Sequence, residues 1–254
     1  MRESEFFKGI AHAEVPWGER SIHVPVFYYD VMSISAAFQA PIDAIRAWMP
    51  SRRMHPLRVT PRKGLIQVSC YAYRDCDIGP YNELAIAVPF YLDRPSPPFV
   101  GTLNKGPTVP KVYFCHLPVT TEIARAAGVE FAGYPKFVAD ITFEEQEEWI
   151  TCRLALEGDP ILSLGCRSAP TSPVGRGRAD LYNVQGDRML RSESVSSPHE
   201  QFSSRDPADV RLELTGDHPI ARELRQAGIT RTLGCQYVPH QQMILSNVLE
   251  SLAV

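Results

Sequence analysis

The chain has 254 residues, a formal net charge of -3 and a hydrophobic content of 44%. A chain of this length and apolar content can bury a large core, so we predict a single domain over residues 1–254. The small negative charge argues against nucleic acid or an anionic membrane surface as the main partner, and a small molecule fits better. The N-terminal residues lack the apolar core of a signal peptide, and the longest apolar run, 84–92, is too short to span a bilayer. We therefore expect a cytoplasmic protein.

Alternation of apolar and polar residues predicts strands along most of the chain. The predicted strands, in chain order, are 22–29, 66–72, 84–92, 112–117, 137–143, 150–156, 161–167 and 210–214. Strands outnumber helices in this prediction. We therefore predict a mainly β fold of the α+β class, built on a large antiparallel sheet with a few flanking helices.

Helical spacing and capping residues predict four helices, over 41–49, 121–127, 219–226 and 239–252. Thr120 is expected to cap the second helix, and Gly128 is expected to stop it. The third helix is expected to begin after a cap at Asp217. The apolar spacing of the last helix suits packing against the sheet.

Residues 168–209 are rich in Pro, Gly, Ser, Arg and Asp, which is typical of a loop. We predict a long excursion from the sheet there. Such excursions are either mobile surface loops or lids over a site, and composition does not choose between them.

Metal and cofactor motifs are absent from the sequence. The six cysteines and seven histidines are dispersed, without the close spacing of a zinc site or a redox dithiol. Glycine-rich nucleotide loops and a nucleophile elbow are also missing. We predict no metal, no cofactor and no disulfide framework.

Lys136 has unusual surroundings for a lysine. Only five lysines accompany 21 arginines, and this one follows an aromatic-proline pair and precedes an apolar run. Burial disfavours the charged form of an amine, and a neutral amine attacks a carbonyl group to form a Schiff base. Lys136 is therefore a candidate covalent catalyst. The alternative is a structural lysine whose ammonium reaches water along a strand edge.

The stretch 113–136 resembles the core of acetoacetate decarboxylases, because a strand, a short helix, a glycine, a glutamate and an aromatic-Pro-Lys run occur in the same order. Residues 79–83 are similar to the glycine and Tyr-x-Glu segment of that family, and residues 42–46 to its early helix. The most specific part is the Glu-x-x-x-Tyr-Pro-Lys run at 130–136.

The resemblance implies a fold and a chemistry. The fold is a central closed barrel with flanking helices, an apolar interior that holds the lysine, and assembly into a homo-oligomer. In the chemistry, the lysine attacks the ketone of an oxo acid, the resulting iminium acts as an electron sink, and the enamine is then protonated and hydrolysed.

Three departures from the family pattern weaken the case for decarboxylation. Phe137 replaces the second lysine of the family's Tyr-Pro-Lys-Lys run. The family's second catalytic carboxylate would fall near residues 68–69 and its substrate-positioning arginine near residues 30–31, and neither is present. Arg74 or Arg20 is expected to bind the substrate carboxylate from another direction.

Lys136 and Glu83 are the catalytic residues that the chain retains. Family relatives with this reduced set condense and dehydrate keto acids through the same lysine. The resemblance thus implies a Schiff-base-forming lyase that acts on a small β-keto or 2-oxo acid, as a decarboxylase or as an aldolase-dehydratase. Glu83 would serve as general acid and base. The predicted substrate-binding residues are Arg74, Tyr81, Tyr134, His116 and Tyr237.

The alternative is a non-catalytic barrel of the same fold that binds a small molecule. In that case Glu83 is a turn carboxylate that caps a backbone amide. Burial of Lys136 beside Glu83 would favour the enzyme. A lysine that points outward, or that pairs with Asp140 on the same predicted strand face, would favour the binding barrel.

Overall fold

The computed structural model describes residues 4–97 and 109–254, and strands dominate them. The described strands, in chain order, are β1 Ala13–Trp17, β2 Arg20–Val24, β3 Val26–Pro41, β4 Met54–Pro56, β5 Arg58–Thr60, β6 Lys63–Cys76, β7 Tyr81–Leu92, β8 Lys111–His116, β9 Asp140–Gln146, β10 Trp149–Leu156, β11 Asp159–Arg167, β12 Ser172–Pro173, β13 Gly177–Gln185, β14 Arg188–Pro198, β15 Glu200–Ser204, β16 Val210–Leu214, β17 Arg231–Leu245 and β18 Glu250–Ala253. The described helices are α1 Ile42–Trp48, α2 Glu122–Ala132, α3 Pro219–Gln226 and a short 3-10 helix at Pro207–Asp209. Within these two ranges, no helix is long and apolar enough to cross a membrane.

Seven of the described strands close into a barrel. Around the barrel they follow the order β3, β6, β7, β8, β13, β14 and β17, and β17 pairs again with β3. Neighbouring strands are antiparallel except β8 and β13, which are parallel. This arrangement confirms the predicted mainly β fold with flanking helices and the barrel that the resemblance implied.

The main apolar core lies outside the barrel, beneath a second sheet of four strands in the order β16, β11, β10 and β9. The outward side chains of β6, including Ile66 and Val68, share one buried cluster with Cys152 and Leu164 of this sheet. The apolar faces of α1 and α3 extend the cluster. Burial of this apolar surface holds the second sheet on the barrel wall.

The interior of the barrel is lined by both polar and apolar side chains. Successive side chains of a strand point to opposite faces, so the residues that alternate with the apolar ones of β6 point inward. Gln67, Ser69, Tyr71 and Tyr73 accordingly line an internal cavity. Apolar side chains such as Phe114, Leu117 and Met243 line the same cavity, so its wall is mixed.

The predicted helix over 239–252 is wrong, because this part of the chain forms the end of β17 and β18. Gln241, Met243 and Leu245 line the internal cavity, whereas Ile244 packs outside with Phe27, which is the two-residue period of a strand. This segment pairs with β3 on one side and β14 on the other. The strand pairing that closes the barrel therefore outweighs the preference for a helix that the spacing of apolar residues in 239–252 indicated.

The predicted excursion over 168–209 is also wrong, since β13 and β14 are two full strands of the barrel. Inward positions of β14, such as Ser194 and Ser196, face the internal cavity. A strand whose core-facing side is polar lacks the apolar alternation on which the strand predictions depended.

The helix predictions are correct in place for α1, α2 and α3, but details of α2 and α3 differ. Thr121, rather than Thr120, caps α2 through a 3.4 Å hydrogen bond from the Ala124 amide to its hydroxyl. The helix also continues through Gly128 and ends at Ala132, before Gly133 at a φ of 63°.

His218, rather than the expected Asp217, caps α3 by accepting a hydrogen bond from the amide of Ile220. The helix itself spans the predicted residues. A neighbouring polar side chain therefore takes the capping position without moving the start of the helix.

Candidate active site

Lys136 and Glu83 form a buried ion pair on the wall of the barrel cavity. The distance from Nζ to Oε2 is 2.7 Å, and the side chains are 5% and 8% exposed. Both residues line an internal cavity of about 500 Å³. The structure thus brings together the two residues that were predicted to be catalytic.

Val119 explains how residues 53 positions apart come into contact. It forms an antiparallel bridge with Glu83 and a parallel bridge with Val138. Its amide donates to the Phe137 carbonyl and its carbonyl accepts from the Ala139 amide, both at 2.9 Å. The segment that carries the lysine is therefore fixed beside β7 before β9 begins.

Gly133 turns the chain from α2 toward the lysine. Its amide donates to the Val129 carbonyl at 3.0 Å, and the Tyr134 amide donates to the Gly128 carbonyl at 3.1 Å. The bond from Gly133 is that of an αL helix end, which requires the left-handed backbone that glycine adopts without strain. Two residues after Tyr134 the chain reaches Lys136.

Gly128 makes room for the lysine side chain. A Cβ added at this position would lie 2.5 Å from Cδ, 2.6 Å from Cε and 3.2 Å from Nζ of Lys136. Carbon atoms in contact are normally about 3.5–4.0 Å apart, so the lysine stem runs directly over the backbone of α2. The glycine that sequence reasoning interpreted as a helix stop therefore has a packing role at the site.

Tyr73 holds the other oxygen of the carboxylate. Its hydroxyl donates to Oε1 of Glu83 at 3.0 Å. Burial raises the pKa of Tyr73 well above its ordinary value, and the negative charge of Glu83 raises this pKa further. The phenol therefore stays protonated at neutral pH and remains a donor, which leaves Oε2 directed at Lys136.

Three more tyrosines surround the ammonium group. Nζ of Lys136 lies 5.5 Å from the ring centre of Tyr81 and 5.8 Å from that of Tyr134, within the range of cation–π attraction. The hydroxyl oxygens of Tyr28 and Tyr81 are 3.3 Å apart. Burial raises the pKa of both well above the ordinary value, so both keep their protons at neutral pH.

Beyond the tyrosines, the polar part of the cavity wall is mostly neutral. Serine and glutamine side chains from five strands line it: Ser33, Ser35, Gln67, Ser69, Ser194, Ser196, Gln201, Gln236 and Gln241. Two pairs are hydrogen-bonded, from Gln67 Nε2 to Ser69 Oγ at 3.0 Å and from Gln241 Nε2 to Ser33 Oγ at 2.8 Å. Such a wall binds carbonyl, hydroxyl and carboxylate oxygens through neutral donors.

Arg178 is the other cation among the described residues that line the cavity. Its side chain is 55% exposed and pairs with Glu193, so it lies at the solvent-facing edge. At the positions expected for the family arginine, Asp30 pairs with His240 at 3.1 Å and Val31 is fully buried. No described arginine replaces it inside the cavity.

Three predicted substrate-binding residues lie away from the cavity. Arg74 is exposed, and Tyr237 packs at the edge of the apolar core outside the barrel. His116 pairs with Glu223 of α3 at 2.7 Å. Asp140 is exposed and does not pair with the lysine. The remaining two predicted residues, Tyr81 and Tyr134, lie beside the lysine as described above.

Sequence reasoning missed Tyr73 and Tyr28. The period of β6 contained a signal for Tyr73, because this residue shares a face with Gln67 and Ser69 opposite the apolar side. Tyr28 carried no such signal, since the pairing register of β3 with β6 shifts between Tyr28 and Val31. A β-bulge re-aims side chains without a mark in the residue pattern.

The closed barrel with Lys136 and Glu83 on its cavity wall agrees with what the resemblance to acetoacetate decarboxylases implied. The family model of acetoacetate decarboxylase (ADC) matches residues 12–246 of this chain. The chain therefore belongs to the acetoacetate decarboxylase family, which confirms the predicted resemblance and supports an enzyme of the lyase type.

Solved structures with the same fold share little sequence with this chain. The acetoacetate decarboxylase of Legionella pneumophila has a TM-score of 0.66 at 15% identity, over 94% of this chain and 92% of that one. The enduracididine biosynthesis enzyme MppR, complexed with the condensation product of pyruvate and imidazole 4-carboxaldehyde, has a TM-score of 0.64 at 10% identity, over 96% and 98%. An acetoacetate decarboxylase-like enzyme from Sphingomonas wittichii RW1 has a TM-score of 0.56 at 12% identity, over 95% and 100%. No curated protein shows a significant sequence match.

Proposed function

We propose that this protein is a Schiff-base-forming lyase that acts on a small β-keto or 2-oxo acid. Lys136 is the nucleophile, and Glu83 is the general acid and base. The observation that carries the proposal is the 2.7 Å contact between Nζ and Oε2 in a buried pair that faces a cavity. A carboxylate at this distance is within reach of the protons that imine chemistry moves.

Each step of the proposed chemistry has a group to move its proton. Oε2 of Glu83 accepts a proton from the Lys136 ammonium, and the free amine attacks the substrate carbonyl carbon to give a carbinolamine. Glu83 returns the proton to the carbinolamine oxygen, which leaves as water and generates the iminium. Loss of a proton or of carbon dioxide from the adjacent carbon then gives an enamine.

The size of the cavity favours condensation over decarboxylation. A volume of about 500 Å³ lies in the range of about 300–1,000 Å³ that holds drug-sized ligands, and it exceeds what a small oxo acid alone would fill. A second carbonyl compound therefore fits beside the enamine. The related MppR is complexed with a condensation product of pyruvate and an aldehyde, which supports the same reaction type here.

Borohydride trapping tests the proposal. The protein is incubated with pyruvate, acetoacetate and other oxo acids, reduced, and mapped by peptide mass spectrometry. We expect an adduct on Lys136 that is absent in Lys136→Ala and retained in the control Lys111→Ala, whose lysine pairs with Asp180 away from Glu83. A folded protein without adducts across the panel would contradict the proposal and favour the non-catalytic binding barrel.

Product analysis separates the two reactions. Incubation of the protein with pyruvate and an aromatic aldehyde is expected to give a dehydrated condensation product, detected by mass spectrometry. Release of carbon dioxide from acetoacetate, without any condensation product, would instead identify a decarboxylase.

Gly128→Ala is expected to slow imine formation at Lys136 by at least about 100-fold. The added methyl group would occupy the space of the lysine Cδ and Cε atoms, and a displacement of about 1 Å in a reacting group costs about this much. The fold is expected to persist, because alanine favours a helix over glycine by about 1 kcal/mol. The trapping rate with pyruvate and the melting temperature measure the two effects.

Gly165→Ala is the matched control for this prediction. A Cβ at Gly165 would meet its nearest neighbour, Thr151 Oγ1, at 3.4 Å, which is ordinary contact. An unchanged trapping rate in a folded Gly128→Ala variant would contradict the packing role of this glycine.

A further inference from the structure

The cavity that contains Lys136 continues into a second chamber of about 540 Å³. Ser35, Gln67 and Gln236 line both spaces, so they mark the junction between them. These three residues belong to β3, β6 and β17, and β3 lies between the other two strands. The second chamber is therefore an extension of the barrel interior.

The second chamber lies toward the end of the barrel that is farther from the lysine. On β7, Glu83, Ala85 and Ala87 line the main cavity, and Pro89 lines the second chamber. These alternate residues share the inward face of the strand. A strand rises about 3.4 Å per residue, so Pro89 lies about 20 Å along β7 from the catalytic pair.

The inward faces of the strands change from polar to apolar along this path. On β6 the inward residues run from Ser69 and Gln67 in the main cavity to Leu65 in the second chamber. On β3 they run from Ser35 at the junction to Ala37 in the second chamber. The second chamber thus offers an apolar wall that follows a polar stretch.

These apolar side chains are not fully packed against the protein. Ala37, Leu65 and Pro89 are partly exposed, whereas their outward neighbours Ile66 and Val88 are fully buried in the main core. Their exposed apolar surface faces the chamber. A hydrocarbon group that covered this surface would gain the free energy of apolar burial.

The second chamber carries little charge. Among the described residues that line it, Arg205 is the only charged one, and its side chain is exposed. An ionised group beside Leu65 would lose hydration without gaining a charged partner there. The inner part of the chamber therefore suits a hydrocarbon chain.

We propose that the second chamber binds the hydrocarbon chain of an aldehyde that condenses with the oxo acid on Lys136. This inference rests on the proposed function and names the class of its second substrate. The oxo acid is bonded to Nζ, so the chain in the distant chamber belongs to the other reactant.

The condensation needs only the two carbonyl compounds. The enamine carbon bonds to the aldehyde carbon. The aldehyde oxygen then leaves as water with two protons that Glu83 has taken from the former methyl group of pyruvate. Hydrolysis of the iminium frees the unsaturated oxo acid and restores the lysine amine.

The geometry of β7 sets the chain length that the chamber requires. Ala87 pairs with Gln67 at the junction, about 13 Å along the strand from Glu83. Carbon–carbon bonds are about 1.5 Å long, so an aldehyde joined to the enamine needs at least about seven carbons to reach the junction. Carbons beyond this length enter the apolar chamber.

A series of aldehydes tests the inference. The protein is supplied with pyruvate and hexanal, octanal or decanal, each below its solubility limit, and kcat/KM for the condensation product is measured by mass spectrometry. Burial of one methylene group favours binding by about fourfold. We therefore expect kcat/KM for decanal to exceed that for octanal by at least about tenfold.

Two variants should remove this gain. Ala37→Phe places a ring just beyond the junction, so decanal should lose about tenfold while hexanal reacts as in the wild type. Leu65→Gln makes the wall polar at similar size, so decanal should lose about fourfold relative to hexanal. Leu249→Gln is the matched control, because Leu249 is 53% exposed and lines neither cavity, and it should leave the ranking unchanged.

The outcomes separate this inference from the proposed function. Condensation of hexanal without a gain at decanal, or a gain that persists in folded Ala37→Phe, would overturn the role of the chamber and leave the imine chemistry intact. If Ala37→Phe does not fold, the wild-type series and Leu65→Gln decide.

A separate arm checks which reactant carries the chain. Carbon dioxide release from 3-oxo acids that rises with chain length, without such a rise in aldehyde condensation, would overturn the assignment to an aldehyde. Absence of both condensation and trapped adducts on Lys136 would overturn this inference and the proposed function together.

Discussion

Glu83→Gln is expected to lower the rate of imine formation at Lys136 by about 10²–10⁴-fold, the usual contribution of a general acid–base. Glutamine has the same shape, and its amide oxygen still accepts the hydrogen bond that Tyr73 donates to Glu83. What it loses is the ability to take a proton from the lysine and return it to the carbinolamine. The effect is therefore expected in the proton-transfer steps, with the architecture of the site preserved.

Two measurements check this prediction. The first is the trapping rate with pyruvate, and the second is the exchange of the pyruvate methyl protons for deuterium, which reports enamine formation by NMR. Glu223→Gln is the matched control, because this carboxylate pairs with His116 and lies outside the cavity. Equal rates in Glu83→Gln and the wild type would show that another group carries the proton.

Lys136→Met is expected to lower the free energy of unfolding by about 3 kcal/mol. Removal of one partner from a buried ion pair leaves the other charge uncompensated, at a cost of about 3–5 kcal/mol. Glu83 keeps the hydrogen bond from Tyr73 and borders the cavity, which places the loss at the lower end of this range. Urea unfolding at pH 7 measures the change.

A double-mutant cycle identifies the cause of this loss. Lys136→Met combined with Glu83→Gln removes the unpaired charge, so the double variant should regain most of the stability that the single variant loses. Lys111→Met is the control, since Lys111 pairs with Asp180 but is 31% exposed, and its removal should cost no more than about 1 kcal/mol. A double variant no more stable than Lys136→Met would show that lost packing causes the change.

Correct strand predictions came from segments with one face against the apolar core. In β6, β7, β10 and β11 the residues on that face repeat with a period of two, and the boundaries follow within a few residues. The predictions failed at 177–198 and 239–252, where strands line the cavity. In β14 the inward serines remove the contrast between the two faces that a pattern-based prediction needs. At the end of β17 the inward Met243 and Leu245 and the outward Ile244 make both faces apolar, which removes the same contrast.

The predictions of candidate site residues also divide into those that a local pattern supported and those that it did not. The local sequence and the Tyr-Pro-Lys run indicated Lys136, and the Tyr-x-Glu segment indicated Glu83. Each residue could be identified because it lies in a short stretch that resembles a family motif. Arg74 and Tyr237 were named from residue type alone, and the barrel turns them away from the cavity. A side chain's type indicates what it can do, but the strand face decides where it points.

The sequence by itself determined the mainly β class, the family and the candidate catalytic lysine, because each depends on residues close together in the chain. Tertiary structure decided the rest. The 2.7 Å contact of Lys136 with Glu83 and the cavity that both residues line join segments that are distant in the chain. These features arise from barrel closure and from the bridge through Val119, which set distances that no local residue pattern specifies.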